Sequence, residues 1–166
     1  MHTIYIPQLA KAPEQTEEIT VREYLPALDT LTPVQGLIRV THRGNYLEVA
    51  ASAEAIMTLT CDRCLKQYNH RVTVDTSELI WLQEPPSYSS TDLEQEVALE
   101  DLVETLTPNG YFQPADWLYE QLCLAMPQRQ LCDQKCQGIQ VQGQGEGDSA
   151  VDERWASLKN LRNQLN

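Results

Sequence analysis

The chain lacks several things that would have announced a function. No run of apolar residues approaches the ~20 needed to span a bilayer as a helix, so an integral helical membrane protein is excluded. Residues 1–8 are too short and too polar a stretch for a signal peptide, and the expectation is a chain that stays in the cytosol. There is no G-x-S-x-G, no H-E-x-x-H and no P-loop. The three histidines, His2, His42 and His70, have no convincing nucleophile beside them, and nothing singles out two carboxylates for acid–base work. The reading is that this is not an enzyme. Positive charge is also scarce: 12 Lys and Arg against 24 Asp and Glu give a net charge of −12. A broad basic face for gripping nucleic acid is therefore excluded.

What is present is unevenly distributed. Between Arg71 and Arg129 there is no Lys or Arg at all, while eleven acidic residues fall there. This segment reads either as a solvated acidic surface or as a docking surface for a basic partner. Glu94, Glu96, Glu100, Asp101 and Glu104 lie at its centre.

The 166 residues suffice for one domain with an appendage. Short alternating segments at residues 2–6, 19–25, 34–41, 46–51, 55–60, 68–76 and 79–82 predict strands. Arg43-Gly44-Asn45 supplies a tight turn between two of them. With no helical pattern interposed, these strands predict an α+β protein. Its N-terminal half is an antiparallel sheet or open barrel, and its helices lie in the C-terminal half.

Residues 83–92, with two prolines and then five hydroxyl-bearing residues, read as a loop. Residues 97–106 read as a strand or a short helix, and 107–110 as a turn. Pro114 opens a helix with Asp116 near its positive end and Leu118, Leu122 and Ala125 as its apolar stripe; Met126-Pro127 ends it. The expected single domain is 1–136: strand-rich over 1–82, then the loop at 83–92, the acidic segment and helix over 93–127, and a cysteine pair at 132–136. A flexible Gln/Gly linker at 137–150 follows. Last comes an amphipathic helix over 151–166, with Trp155, Leu158, Leu161 and Leu165 at helical spacing. It has the pattern to pack on the body or on a partner.

Four of the five cysteines form two jaws, Cys61-Asp-Arg-Cys64 and Cys132-Asp-Gln-Lys-Cys136. In a cytosolic chain, cysteines in pairs point to metal ligation or free thiols before disulfides. A tetrahedral zinc site needs two such jaws, so one zinc shared by Cys61, Cys64, Cys132 and Cys136 is the leading expectation, a zinc knuckle with sulfurs at ~2.3 Å. Free thiols left from an ancestral site, and redox chemistry at an activated thiolate, are the other two readings. Cys123 reads as a small buried hydrophobe on the helix.

Around the first jaw lies a basic cluster, Arg63, Lys66, His70 and Arg71, with Tyr68 interleaved and with His42 and Arg43 expected to join it from the neighbouring hairpin. It reads as ordinary surface charge or as a small RNA or phosphate contact.

Taken in order, these features resemble a known family. A strand-rich half ends in Leu-Thr-Cys-Asp-Arg-Cys-Leu (59–65), followed by an acidic segment, an apolar helix and Pro127. Then come a C-x3-C-x-Gly-Ile (132–139) and a chain end in Asp-Glu-Arg-Trp-Ala-Ser-Leu-Lys-Asn-Leu (152–161). This resembles the YceD family, the large ribosomal RNA subunit accumulation proteins, over nearly the whole chain. The resemblance implies a non-enzymatic factor in the accumulation or processing of large-subunit (23S) ribosomal RNA. Its partners would be a ribosomal protein or assembly factor, with rRNA reached directly or indirectly. It carries zinc-like ligation onto the same four cysteines. Many members continue with further cysteines where Gln140 and Gly143 stand here, so at most one four-cysteine ion fits; the shortened form is similar to cyanobacterial members. The alternatives are a small zinc-dependent RNA-binding module using Arg63, Lys66 and Arg71, and a redox or metal-dependent enzyme.

Overall fold

A computed structural model describes residues 1–84 and 103–139. In chain order the elements are β1 (Ile4–Tyr5), a single helical turn α1 (Ile6–Leu9), a 3-10 turn (Pro13–Gln15), β2 (Thr16–Glu23), β3 (Val34–His42), β4 (Tyr46–Thr60), β5 (Gln67–Leu82), β6 (Thr105–Leu106), β7 (Tyr111–Phe112) and α2 (Pro114–Leu124). The main sheet has the order β2-β3-β4-β5-β6, and β1 pairs with β7 in a two-stranded sheet of its own. Every pair in both sheets is antiparallel except β5–β6, which is parallel. The expected α+β architecture is the observed one. The expected second helix, residues 140–150 of the linker, residues 85–92 of the loop and residues 93–102 of the acidic segment lie outside the described residues.

The strands are longer than the sequence pattern suggests. Residues 46–51 and 55–60 belong to one 15-residue strand, and 68–76 and 79–82 to one of 16 residues. Ser52-Ala53-Glu54 has low intrinsic strand preference, which invites a break. Burial overrides that preference. From Leu47 to Cys61 every odd residue of β4 turns inward and is buried, without a slip in period. A period of two held over fifteen residues commits one face to the core and pins the register.

The small residues in the middle of β4 serve the packing. Gly36 of β3 pairs with Ala53. A Cβ built on Gly36 would lie 2.6 Å from the Ala53 Cβ and 2.3 Å from the Ser52 carbonyl oxygen. Only glycine admits so close an approach of the two strands.

The core lies between this inward face and the elements that cover it. Ile38, Leu47, Val49 and Ile80 from the sheet join Ile6 and Leu9 of α1 and Trp117, Leu118 and Leu122 of α2. Pro114 stands at the first turn of α2 as expected, but Ala125 is the C-cap and exposed. Trp117 completes the buried stripe in its place. Cys123, expected to be buried, is half-exposed on the flank of the helix. Leu25 is buried and Tyr24 is exposed, which settles which of the two faces the core.

One feature of the topology positions the site. β3 pairs with β4 only as far as Gln35↔Glu54, whereas the β4–β5 ladder runs on from Ala55↔Val72 to Thr60↔Gln67. The hairpin thus projects beyond the sheet as a two-stranded ribbon. At its root, Leu31 N–H donates to the Ile56 carbonyl (2.7 Å), and Ile56 N–H donates to Thr32 Oγ1 (3.0 Å). An isolated ribbon is marginal in water. This one nonetheless buries Ala55, Met57 and Leu59 on its inner face, and Met126, just after α2, packs against the same core.

Candidate metal centre

The alternation that builds β4 also delivers Cys61. It is the next odd residue after Leu59, and so it points inward and is fully buried. The strand then ends in a tight knuckle. Leu65 N–H donates to the Cys61 carbonyl (2.9 Å), and Cys61 N–H donates to the Lys66 carbonyl (2.9 Å). Leu65 closes the turn in the left-handed region, φ +59°, where a non-glycine residue is strained by roughly 1–2 kcal/mol.

The second jaw arrives on the segment after α2. Asp133 folds it: its Oδ1 accepts from Lys135 N–H (2.7 Å) and its carbonyl from Cys136 N–H (3.0 Å). Gly138 follows at φ +81°. Three hydrogen bonds then lock jaw to jaw. Asp62 N–H donates to the Gln130 carbonyl (2.8 Å), Gln130 N–H to Asp62 Oδ2 (2.7 Å), and Arg63 Nη1 to the Cys136 carbonyl (2.9 Å). Asp62 and Arg63, the two residues inside C-x2-C, thus hold the partner segment.

The four sulfurs of Cys61, Cys64, Cys132 and Cys136 lie within 4.8 Å of one another. Sγ of Cys64 and Cys132 are 3.6 Å apart, and those of Cys61 and Cys136 3.9 Å. A tetrahedron of sulfurs around zinc at about 2.3 Å has edges of about 3.8 Å. Those two separations match these edges, and the donor set fits a four-thiolate ion.

The thiols of Cys61 and Cys132 differ in acidity. The backbone N–H of Cys132, and then that of Cys64, donate to the Cys61 sulfur and lower its pKa to about 6. Cys132 is pushed up to about 12, chiefly by its side-chain hydrogen bond to Cys64 and then by that to Cys61. Tyr68, half-buried beside the site, has its phenol pushed up by burial and then by the negative charge of Cys61 and Asp62.

The basic cluster of the sequence comes apart. Arg63 and Lys66 are exposed at the ribbon tip. Arg71 is four rungs back from the end of the ladder and paired to Glu54 (2.7 Å). His70 turns to the inner face, edge-on to Tyr68 at 6.3 Å. His42 and Arg43 do not join at all. They sit at the β3–β4 turn, the opposite end of a 15-residue strand, roughly 45 Å away at ~3.3 Å per residue. There Arg43 pairs with Glu48 (2.9 Å) and His42 Nδ1 accepts from Gly44 N–H (3.1 Å). Contiguity in sequence misled, because a hairpin's strands carry its two ends apart. Instead the second jaw brings Arg129 and Lys135 to the same end. Among the described residues, none of Arg63, Lys66, Arg129 and Lys135 is in an ion pair.

Of the expected docking carboxylates, Glu94, Glu96, Glu100 and Asp101 lie outside the described residues. Glu104 precedes β6, and its pKa is raised by desolvation and then by the charges of Glu78 and Glu120. Glu78 itself escaped sequence reading. It faces inward from β5 and accepts from Trp117 Nε1 (2.7 Å) and Gln121 Nε2 (3.1 Å) of α2. Its parity with Val74 and Ile80, both inward, was the available signal.

Among the described residues no helix is long and apolar enough to cross a membrane. No curated protein and no solved structure matches the chain. The family model described as "Large ribosomal RNA subunit accumulation protein YceD" matches residues 49–162, more than half of the chain and a span that includes both cysteine jaws. This protein therefore belongs to the YceD family.

Proposed function

We propose that this YceD-family protein is a non-enzymatic factor that supports accumulation and processing of 23S ribosomal RNA and ribosome assembly through protein partners, with one zinc ion as a structural staple. The observation that carries the structural role is the ligand set. Four cysteines close on one point, with one sulfur buried and no fourth position left for water or substrate. Catalytic zinc keeps a position open, and structural zinc does not. Cys61, Cys64, Cys132 and Cys136 would hold the ion, and its contribution is to fasten the segment after α2 to the ribbon.

Partner docking is assigned to the acidic segment, centred on Glu94, Glu96, Glu100, Asp101 and Glu104. A 57-residue stretch with eleven carboxylates and no cation repels itself, and a basic ribosomal protein or assembly factor relieves that repulsion. Replacing the five by Gln or Asn should lower co-sedimentation with large-subunit precursors without lowering the melting temperature. Added salt should weaken the association of the unmodified protein. Normal co-sedimentation of the neutralised protein would reduce the segment to solvated surface.

A second reading, a zinc-dependent RNA-binding module, draws on Arg63 and Lys66, which meet Arg129 and Lys135 at the tip. Arg71 fits it less well because Glu54 already neutralises it. Native pull-downs with and without RNase separate the two: partners retained after RNase favour protein docking.

A further inference from the structure

Within the thiol cluster two close sulfur pairs run between the jaws. Cys64 lies 3.6 Å from Cys132, across 68 residues of chain, and Cys61 lies 3.9 Å from Cys136. The pairs differ in access. Cys132 is exposed and Cys64 half-buried, whereas Cys61 is fully buried. The backbones that carry these residues are joined without any metal, by Asp62 to Gln130 in both directions and by Arg63 to the Cys136 carbonyl. The jaws would therefore remain face to face when the ion leaves.

We propose that Cys64 and Cys132 are an oxidation site for hydrogen peroxide, whose product is a disulfide that keeps the segment after α2 tied to the ribbon tip once zinc is released. The inference rests on the zinc reading above for the released ion, and on sulfur geometry alone for the pairing. The exposed Cys132 sulfur, a thiolate while it ligates zinc, attacks one peroxide oxygen. The O–O bond breaks, hydroxide leaves, and Cys132 becomes a sulfenic acid. The Cys64 sulfur attacks that sulfur, the S–S bond forms, the S–O bond breaks, and a second hydroxide leaves. Two protons from solvent convert both hydroxides to water. The two thiolates have lost two electrons, one peroxide has become two waters, and zinc has lost two of its four ligands. Closing the gap from 3.6 Å to a disulfide requires the sulfurs to approach by about 1.6 Å. A disulfide inside either jaw would have the opposite consequence, since it would leave the two segments unconnected.

The test uses the full chain, with zinc measured by elemental analysis before peroxide is added. Trypsin separates all four cysteines, because Arg63 divides the first jaw, Lys135 divides the second, and Lys66 and Arg129 bound the rest. After blocking free thiols, mass spectrometry should find the first disulfide between peptides 64–66 and 130–135. It should exceed either within-jaw disulfide by about tenfold, form in step with zinc release, and disappear on treatment with a reductant. Hydrogen exchange of the ribbon amides should remain slow in the oxidised protein. Cys64→Ser should abolish that disulfide while Cys123 stays alkylatable in both proteins. A first disulfide joining Cys61 to Cys64 or Cys132 to Cys136, a disulfide between chains, or zinc release with no disulfide would overturn the proposal. Absence of zinc before oxidation would defeat the metal reading instead, and the mapped pairing would still decide this one.

Discussion

The two ends of the β4–β5 hairpin are built on different physics. At the sheet end, five strands lie side by side, and Leu47, Val49 and Ile80 are buried in the core with α1 and α2. Each fully buried side chain of this size contributes about 1.5–3 kcal/mol, and that end is self-sufficient. Its charges are paired on the surface, as in Arg39 with Glu18 and Arg43 with Glu48, which adds little. At the ribbon end only two strands pair, and the second jaw is held by three hydrogen bonds and four sulfurs. The same hairpin is thus fastened by apolar area at one end and, in the proposed zinc reading, by ligation at the other. Losses at the two ends should therefore look different.

The largest effect should come from the ribbon end. Chelation of the ion, or Cys61→Ser, should remove on the order of 5 kcal/mol from the ribbon and its jaws. Hydrogen exchange should quicken at residues 55–60 and 67–72 while β2, β3 and the α2 region keep their protection. Uniform loss across the sheet would break the comparison.

Next, Gly36→Val attacks the sheet end. Its Cβ would meet Ser52 and Ala53 backbone at 2.3 and 2.6 Å, and overpacking of this kind costs about 1–3 kcal/mol or more. Chemical denaturation should show a lower midpoint for the whole molecule, with zinc content per folded chain unchanged.

The pH dependence of the sheet end is smaller. Glu104 has a folded pKa raised above its ordinary value of 4.5, by desolvation first and by Glu78 and Glu120 next. Its protonated form is the one the fold favours. That contribution is fully present below about pH 4.5 and is lost as pH rises through the folded pKa. Urea midpoints of Glu104→Gln should therefore gain on the unmodified protein as pH rises, and a constant difference would rule this out.

The smallest effect sharpens the picture of the knuckle. Leu65 sits at φ +59° with its side chain exposed. Leu65→Gly relieves that strain and should stabilise the tip by up to about 1 kcal/mol, read as slower zinc loss to a chelator.

Much of this could be read from residue order. Alternation located the strands, because a half-buried strand has no other way to satisfy one wet and one dry face. Pro114 and Met126-Pro127 bracketed α2 through backbone constraints that act locally. The spacing of C-x2-C and C-x3-C pointed to ligation, since a short loop can aim two thiolates at one ion. The continuity of β4 and β5 was hidden, because Ser52-Ala53-Glu54 is a weak strand former that only its neighbours hold extended.

What the sequence determined by itself, then, was everything set by nearest neighbours: strand periodicity, the helix start and stop, two jaws, and a charge imbalance. Tertiary structure alone decided which side chains meet. It carried Arg43 and His42 to the far end from Arg63, and brought Arg129 and Lys135 to the Arg63 end instead. It also placed Glu78 under Trp117, and closed Cys64 on Cys132 across 68 residues. Those meetings depend on register and hairpin length, and a one-residue shift in either would have changed every one of them.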